Sequence, residues 1–188
     1  MNSNNQIFNY KEDRTTEAAG YFLKLHGGKM EYIKLIKLLY LVDRESLKRW
    51  ERPVTYDDYY SMKNGQVLSK TLDIVKENLP AEYWNKNIRK SSKYIVELIS
   101  DHVTFIKLTK AEVKLIEEIY QTFGSWSWSK LAKYTHNLPE YEEPKPIDSH
   151  VPTPINKLLT ILEFNEKDIE RITNNLFECE TLEKYIEA

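Results

Sequence analysis

Met30–Trp50 reads MEYIKLIKLLYLVDRESLKRW, and its reading decides the fold. It is the longest stretch that lacks Gly and Pro and still carries a strong apolar pattern. Ile33, Ile36, Tyr40 and Leu47 share one helical stripe; Leu35, Leu38, Leu39 and Val42 widen it to most of the circumference. A helix apolar on nearly all sides must be enclosed by other elements. Lys34 and Lys37 lie on its way in, and Asp43, Arg44, Glu45, Lys48 and Arg49 on its way out. Lys48 and Arg49 suit the negative end of the helix dipole, and Pro53 stops the helix. This is expected to be the central helix of a single domain.

The totals set the class. A chain of 188 residues, 41% hydrophobic and 30% charged, holds one well-packed core. With 27 basic against 29 acidic residues the formal charge is -2, which gives no bulk argument for nucleic-acid binding. The lone Cys179 has no internal disulfide partner, so a reducing cytoplasm is expected. Apolar runs are too short for a membrane span, and MNSNNQIFNYKEDR is too polar for a signal peptide.

Outward from the central helix, residues 1–14 read as a loose tail. Thr15 or Thr16 opens a helix that Gly27-Gly28 ends. After Pro53, ERPVTYDDYYSMKNGQV reads as an irregular, aromatic-rich segment, followed by a helix from about Gln66 to Leu79. A short helix falls around Glu82. The alternation of Tyr94, Val96 and Leu98, then of Val103 and Phe105, predicts one β-hairpin. Thr109–Glu112 is a capping-box pattern opening a helix that Gly124 ends, and Ser125 or Ser127 caps the next, to His136. Residues 137–154 hold five of the seven prolines and form an extended crossing. Helices are expected from Pro154 to Glu163 and from Glu166 to Leu176, with a last turn over Thr181–Ile186. The expected fold is mainly α: a single-domain helical bundle with one small β-hairpin.

Chemistry is sparsely signalled. The four histidines are far apart, which argues against a zinc site, and no nucleophile elbow, phosphate loop or dinucleotide fingerprint occurs. Glu178 and Glu180 beside Cys179 would raise its pKa and leave it a spectator. No cofactor, metal or catalytic group is expected. Asp43-Arg44 reads as a buried pair neutralising charge among helix ends, with a functional acid and base as the alternative. His136 reads as a helix-terminal cation or hydrogen-bond anchor. Residues 112–136 have the layout of a helix-turn-helix, so a DNA-binding transcriptional regulator is the alternative function. The second helix, however, begins Trp-Ser-Trp-Ser-Lys, and of its residues only Lys130 and Lys133 are lysines that could meet phosphate. Tyr56, Tyr59, Tyr60, Met62, Lys63 and Asn64, with Trp126 and Trp128, are aromatics, Met and Lys of the kind found at protein-recognition surfaces.

The order of motifs adds a resemblance. Lys37-Leu38-Leu39-Tyr40-Leu41-Val42-Asp43-Arg44-Glu45 resembles the KLLYLADRE-like helix of the Panacea domain, the SocA-like, phage-associated antitoxin family. Tyr60–Ser69, with Gly65 and Val67, is similar to that family's aromatic-x-x-x-x-Gly-Pro-Val segment leading into a helix. Gln66 stands where the family has proline, which loosens the turn. Leu108–Glu112 and Leu131–His136 match its later helix start and its Leu-x-x-x-Thr-His ending. The likeness covers about 17–143, leaving 144–188 as a C-terminal helical extension on the same domain. It implies a non-enzymatic cytoplasmic antitoxin whose partner is a cognate protein toxin, with delivery to a cytosolic protease known for one member. Lys37, Leu38, Leu39, Tyr40, Asp43, Arg44, Gly65, Val67 and His136 are then structural motif residues. Tyr59, Tyr60, Lys63, Asn64, Gln66, Trp126 and Trp128 are the candidate toxin-binding residues.

Overall fold

Every residue from Lys34 to Asp43 of helix α2 (Tyr32–Trp50) is buried, as a helix apolar around its circumference requires. The computed structural model describes residues 10–100 and 106–186, and of 179–186 the backbone alone. α2 packs against α1 (Glu12–Leu25), β1 (Lys29–Glu31), β3 (Gly65–Leu68), α3 (Ser69–Val75), α5 (Lys110–Phe123) and α6 (Trp128–His136). The remaining described elements are β2 (Tyr59–Met62), α4 (Glu82–Asn87), β4 (Ile88–Lys90), β5 (Ile95–Leu98), β6 (Val151–Pro152), α7 (Ile155–Ile161) and α8 (Glu166–Ile186). The chain is mainly helical.

Helix ends follow local chemistry. Thr109 accepts from the Glu112 amide while the Thr109 amide donates to the Glu112 carboxylate, the reciprocal box that starts α5. Glu112 also receives Arg14 and Arg52, each at 2.7 Å, so one buried carboxylate ties α1, the segment after α2 and the start of α5. Ser127 caps α6 by accepting from the Lys130 amide. Lys34 donates to the Gly124 carbonyl at 2.7 Å, placing an ammonium at the negative end of α5. α1 starts at Glu12 rather than at a threonine cap: Thr15 and Thr16 instead bond back to the carbonyls of Lys11 and Glu12.

Two three-stranded antiparallel sheets replace the expected single hairpin, in the orders β1-β5-β4 and β3-β2-β6. The alternation at Val96 marks β5, but its partners are β1, with Met30 opposite Val96, and β4, with Lys90 opposite Val96. The expected second arm at Val103 and Phe105 lies outside the described residues, as do most of the N-terminal tail and the Cys179 side chain. The second sheet corrects two further expectations. Tyr59–Met62 is no irregular segment, and Gln66 does not open a helix: β2 and β3 form a tight hairpin turning at Lys63-Asn64, and α3 begins only at Ser69. Lys63 and Asn64 fill the turn, and Gly65 takes the left-handed conformation directly after it, at φ +91°. β6, from the proline-rich crossing, completes the sheet by placing Val151 opposite Ser61.

One apolar cluster runs through the described residues. It contains Ala18, Ala19, Phe22 and Leu23 of α1, the leucines of α2, Leu115 and Ile116 of α5, Leu131 of α6, and Ile155, Leu158 and Leu159 of α7. Residues 166–186 form one continuous helix, α8, whose Arg171 grips Glu51 with both terminal guanidinium nitrogens at 2.7 Å.

Candidate functional site

The β2–β3 hairpin is held from beneath by polar groups that the core would exclude if they were unpaired. Asp43 accepts from the amides of Val54 and Thr55 at 2.8 and 2.9 Å and from the hydroxyls of Thr55 and Tyr59. Burial outweighs these four donors and pushes its carboxyl up to about 6. Asp57 repeats the arrangement for α3, accepting from the amides of Asp58, Lys70 and Thr71 and from the Thr71 hydroxyl; burial raises it to about 7. Asp43 and Arg44 do not pair with each other, because adjacent helical residues point in different directions. Arg44 instead bonds Glu140 at 2.8 Å, and the Tyr40 hydroxyl donates to the same oxygen at 2.7 Å. The other Glu140 carboxylate oxygen is buried with no hydrogen-bond partner.

Gln66 is fully buried and joins three segments. Its amide nitrogen donates to Ser61 and to the Glu140 carbonyl, and its side-chain oxygen accepts from Thr153. A proline there would offer none of these bonds. Gly65, at φ +91°, lies so close to α6 that an added Cβ would sit 2.4 Å from the Thr135 hydroxyl. The Leu-x-x-x-Thr-His ending of α6 is thus the seat of the hairpin turn.

Beside the hairpin opens a cavity of about 250 Å³, between α2, α3 and the 147–149 segment of the crossing. Ile33, Ile36, Met62, Val67 and Leu72 form its apolar wall, and Lys63, Asn64, Lys76 and Asp148 are among its exposed lining. Lys37 also lines it. That side chain is 1% exposed, its ammonium donates to the Gln66 carbonyl at 3.0 Å, and desolvation alone lowers its pKa to about 7.

An unfolded lysine titrates near 10.4, so the folded state releases this proton first. The resulting penalty is complete below pH 7 and fades as pH rises from 7 towards 10. Methionine has similar length and no charge to bury. Lys37→Met is therefore expected to raise the thermal midpoint by several degrees at pH 6, with the gain shrinking towards pH 9.

A second cluster lies against another face of α6. Trp126 meets Phe123 edge-on at 5.0 Å and Tyr134 at 5.8 Å, and the Lys130 ammonium stands 3.7 Å from the centre of the Trp126 ring. Trp128 is 39% exposed. Tyr134 and Thr135 are neighbours in α6, and successive helical residues point about 100° apart, so this cluster and the turn seated at Thr135 occupy different faces of the helix.

Of the seven candidate contact residues, the structure brings together Lys63 and Asn64, exposed at the hairpin tip, with half-buried Tyr60, which meets His150 edge-on at 5.1 Å. Tyr59 and Gln66 are corrected to interior roles: both side chains are buried, one on Asp43 and the other among Ser61, Glu140 and Thr153. Trp126 belongs to the separate cluster, and Trp128 is exposed at the start of α6. Among the structural motif residues, Lys37, Leu38, Leu39, Tyr40, Asp43, Gly65 and Val67 are buried and Arg44 is half-buried. His136 is exposed, with its ring 3.9 Å from that of Tyr141. The sequence reading missed Glu140 and the lining residues Ile147 and Asp148. A proline-rich crossing carries no periodicity to show that it returns to the hairpin.

Among the described residues no group of three or more His, Cys, Asp or Glu is placed to hold a metal ion, and no helix is long and apolar enough to cross a membrane. The fold is that of a mainly helical protein with two small antiparallel sheets. The family model described as "Antitoxin SocA-like, Panacea domain" matches residues 35–142, and the chain belongs to that family. The matched span runs from α2 through the hairpin and α6 to Glu142. No curated protein and no solved structure matches the chain.

Proposed function

We propose that this protein is an antitoxin that neutralises a cognate protein toxin by binding it directly, in the cytoplasm. The family match over residues 35–142 carries this reading. The hairpin supports it physically: exposed Lys63 and Asn64 and half-buried Tyr60 ride on a turn fixed by Gly65 and by buried hydrogen bonds. A rigidly supported exposed turn loses little conformational entropy when a partner covers it. The Lys130 ammonium is engaged on Trp126, and Leu131, Ala132 and Thr135 of α6 are buried, so helix packing accounts for this segment better than groove reading.

The test is co-expression with the product of the adjacent reading frame. Growth arrest relieved by this protein, with the two co-purifying, is the expected result; relief without a complex would overturn direct binding. Lys63→Glu, on a side chain 61% exposed, is expected to leave the melting temperature unchanged. It should weaken the complex about tenfold or more, as a charge placed wrongly at an interface does. Undiminished neutralisation by both Lys63→Glu and Tyr60→Ala would move the binding face elsewhere. Toxin levels in hosts with and without their cytosolic proteases would show whether delivery to a protease contributes.

A further inference from the structure

The cavity beside the hairpin combines an apolar wall with an excess of cations. Three lysines line it, Lys37 within and Lys63 and Lys76 at the exposed rim, against one carboxylate, Asp148, which stands 3.8 Å from Lys63. Among the described residues Lys37 meets a single acceptor, the neutral Gln66 carbonyl, although an ammonium has three protons to donate. By contrast Asp43 and Asp57 each draw four donors, and Arg44 has Glu140. At about 250 Å³ the space is smaller than the roughly 300–1,000 Å³ of small-molecule sites. It suits one or two side chains of a bound polypeptide.

We propose that the cavity receives an anchor from the bound toxin, a short apolar group ending in a carboxylate, with the carboxylate paired to Lys37 and the apolar part against Ile33, Ile36 and Met62. The inference rests on the antitoxin reading and names the chemistry of its contact. It fits the placement, because Lys63 and Asn64 belong both to the cavity and to the exposed hairpin tip. It also gives the Lys37 ammonium the counter-charge it lacks in the isolated chain, so binding at pH 8 should take up a proton.

Phenylacetate and its uncharged counterpart phenylacetamide are the probes. With full-length protein, phenylacetate should shift the methyl resonances of Ile33, Ile36 and Met62 saturably and bind at least tenfold more tightly than the amide. Lys37→Met should abolish that preference. Calorimetry at pH 8 in buffers of different ionisation enthalpy should show proton uptake. In the complex with the adjacent gene product, Lys37→Met should weaken affinity at least tenfold, and phenylacetate should compete. The rim variant Lys63→Glu with Lys76→Glu, on exposed side chains, should weaken both interactions whatever the folding of the first variant.

Equal binding of the two probes, or no saturable shift, overturns the proposal. Lysine-dependent phenylacetate binding with a complex indifferent to both variants and to competition also overturns it, since the occupant is then a free carboxylate. If no complex forms with the parent protein, the antitoxin reading fails and the toxin falls as occupant with it, while the probes still report the cavity's chemistry.

Discussion

Asp43→Ala is expected to lower the thermal midpoint by about 4–24 °C or to abolish soluble expression, on the scale of 2–4 °C per kcal/mol for chains of this length. Four donors converge on that carboxylate. The hydroxyls of Thr55 and Tyr59 can rotate towards other acceptors, but the amides of Val54 and Thr55 are fixed by the backbone. Leaving two buried amides unpaired costs about 2–6 kcal/mol, out of a total stability of about 5–15. Asp43→Asn, which keeps an acceptor oxygen, should cost about a third as much. Urea unfolding of the two variants separates these values, and equal stability of alanine and asparagine would show that the oxygen is not what orders residues 54–59.

Gly65→Ala is the second large effect, expected at about 2–4 kcal/mol from left-handed strain and overpacking combined. The new Cβ would lie 2.4 Å from the Thr135 hydroxyl and 3.1 Å from both the Ala132 carbonyl and the His136 amide, so the hairpin must lift from α6. Gly28 supplies the control. Its φ of +90° carries the same strain, but nothing lies within 4 Å of an added Cβ, so Gly28→Ala should cost only about 1–2 kcal/mol. Neutralisation should follow the same order: Gly65→Ala displaces Lys63 and Asn64, whereas Gly28→Ala leaves them in place. Equal losses in thermal unfolding at the two glycines would mean that contact with α6 adds nothing.

These residues also show where the sequence is informative. α2 is legible because ten successive buried positions demand apolar character all round, and α5 because its capping box is a four-residue signal. β1 and β4 have three residues each, too few to alternate, and their partner β5 lies far from β1 in the chain. The turn at Lys63-Asn64 is only half legible: Asn64-Gly65 is a hairpin dipeptide, but it points one residue further on than the observed turn, and the aromatic run before it suits an irregular surface equally well. Lys63 and Asn64 at the exposed tip follow from their polarity. The interior places of Tyr59 and Gln66 do not, because a buried polar side chain is explained only by partners such as Asp43 and Thr153, which composition cannot locate.

The family's span and the physical core have different edges. Residues 35–142 exclude α1, β1 and α7, yet Phe22 and Leu23, Met30, Ile155, Leu158 and Leu159 are buried in the shared core. β6 extends the hairpin's own sheet from outside that span. The shared span is therefore not an interchangeable cassette here. Whatever rearrangement carries this hairpin into a new gene must bring along flanks that family likeness leaves unmarked, and the flanks are free to diverge only as fast as their buried faces allow.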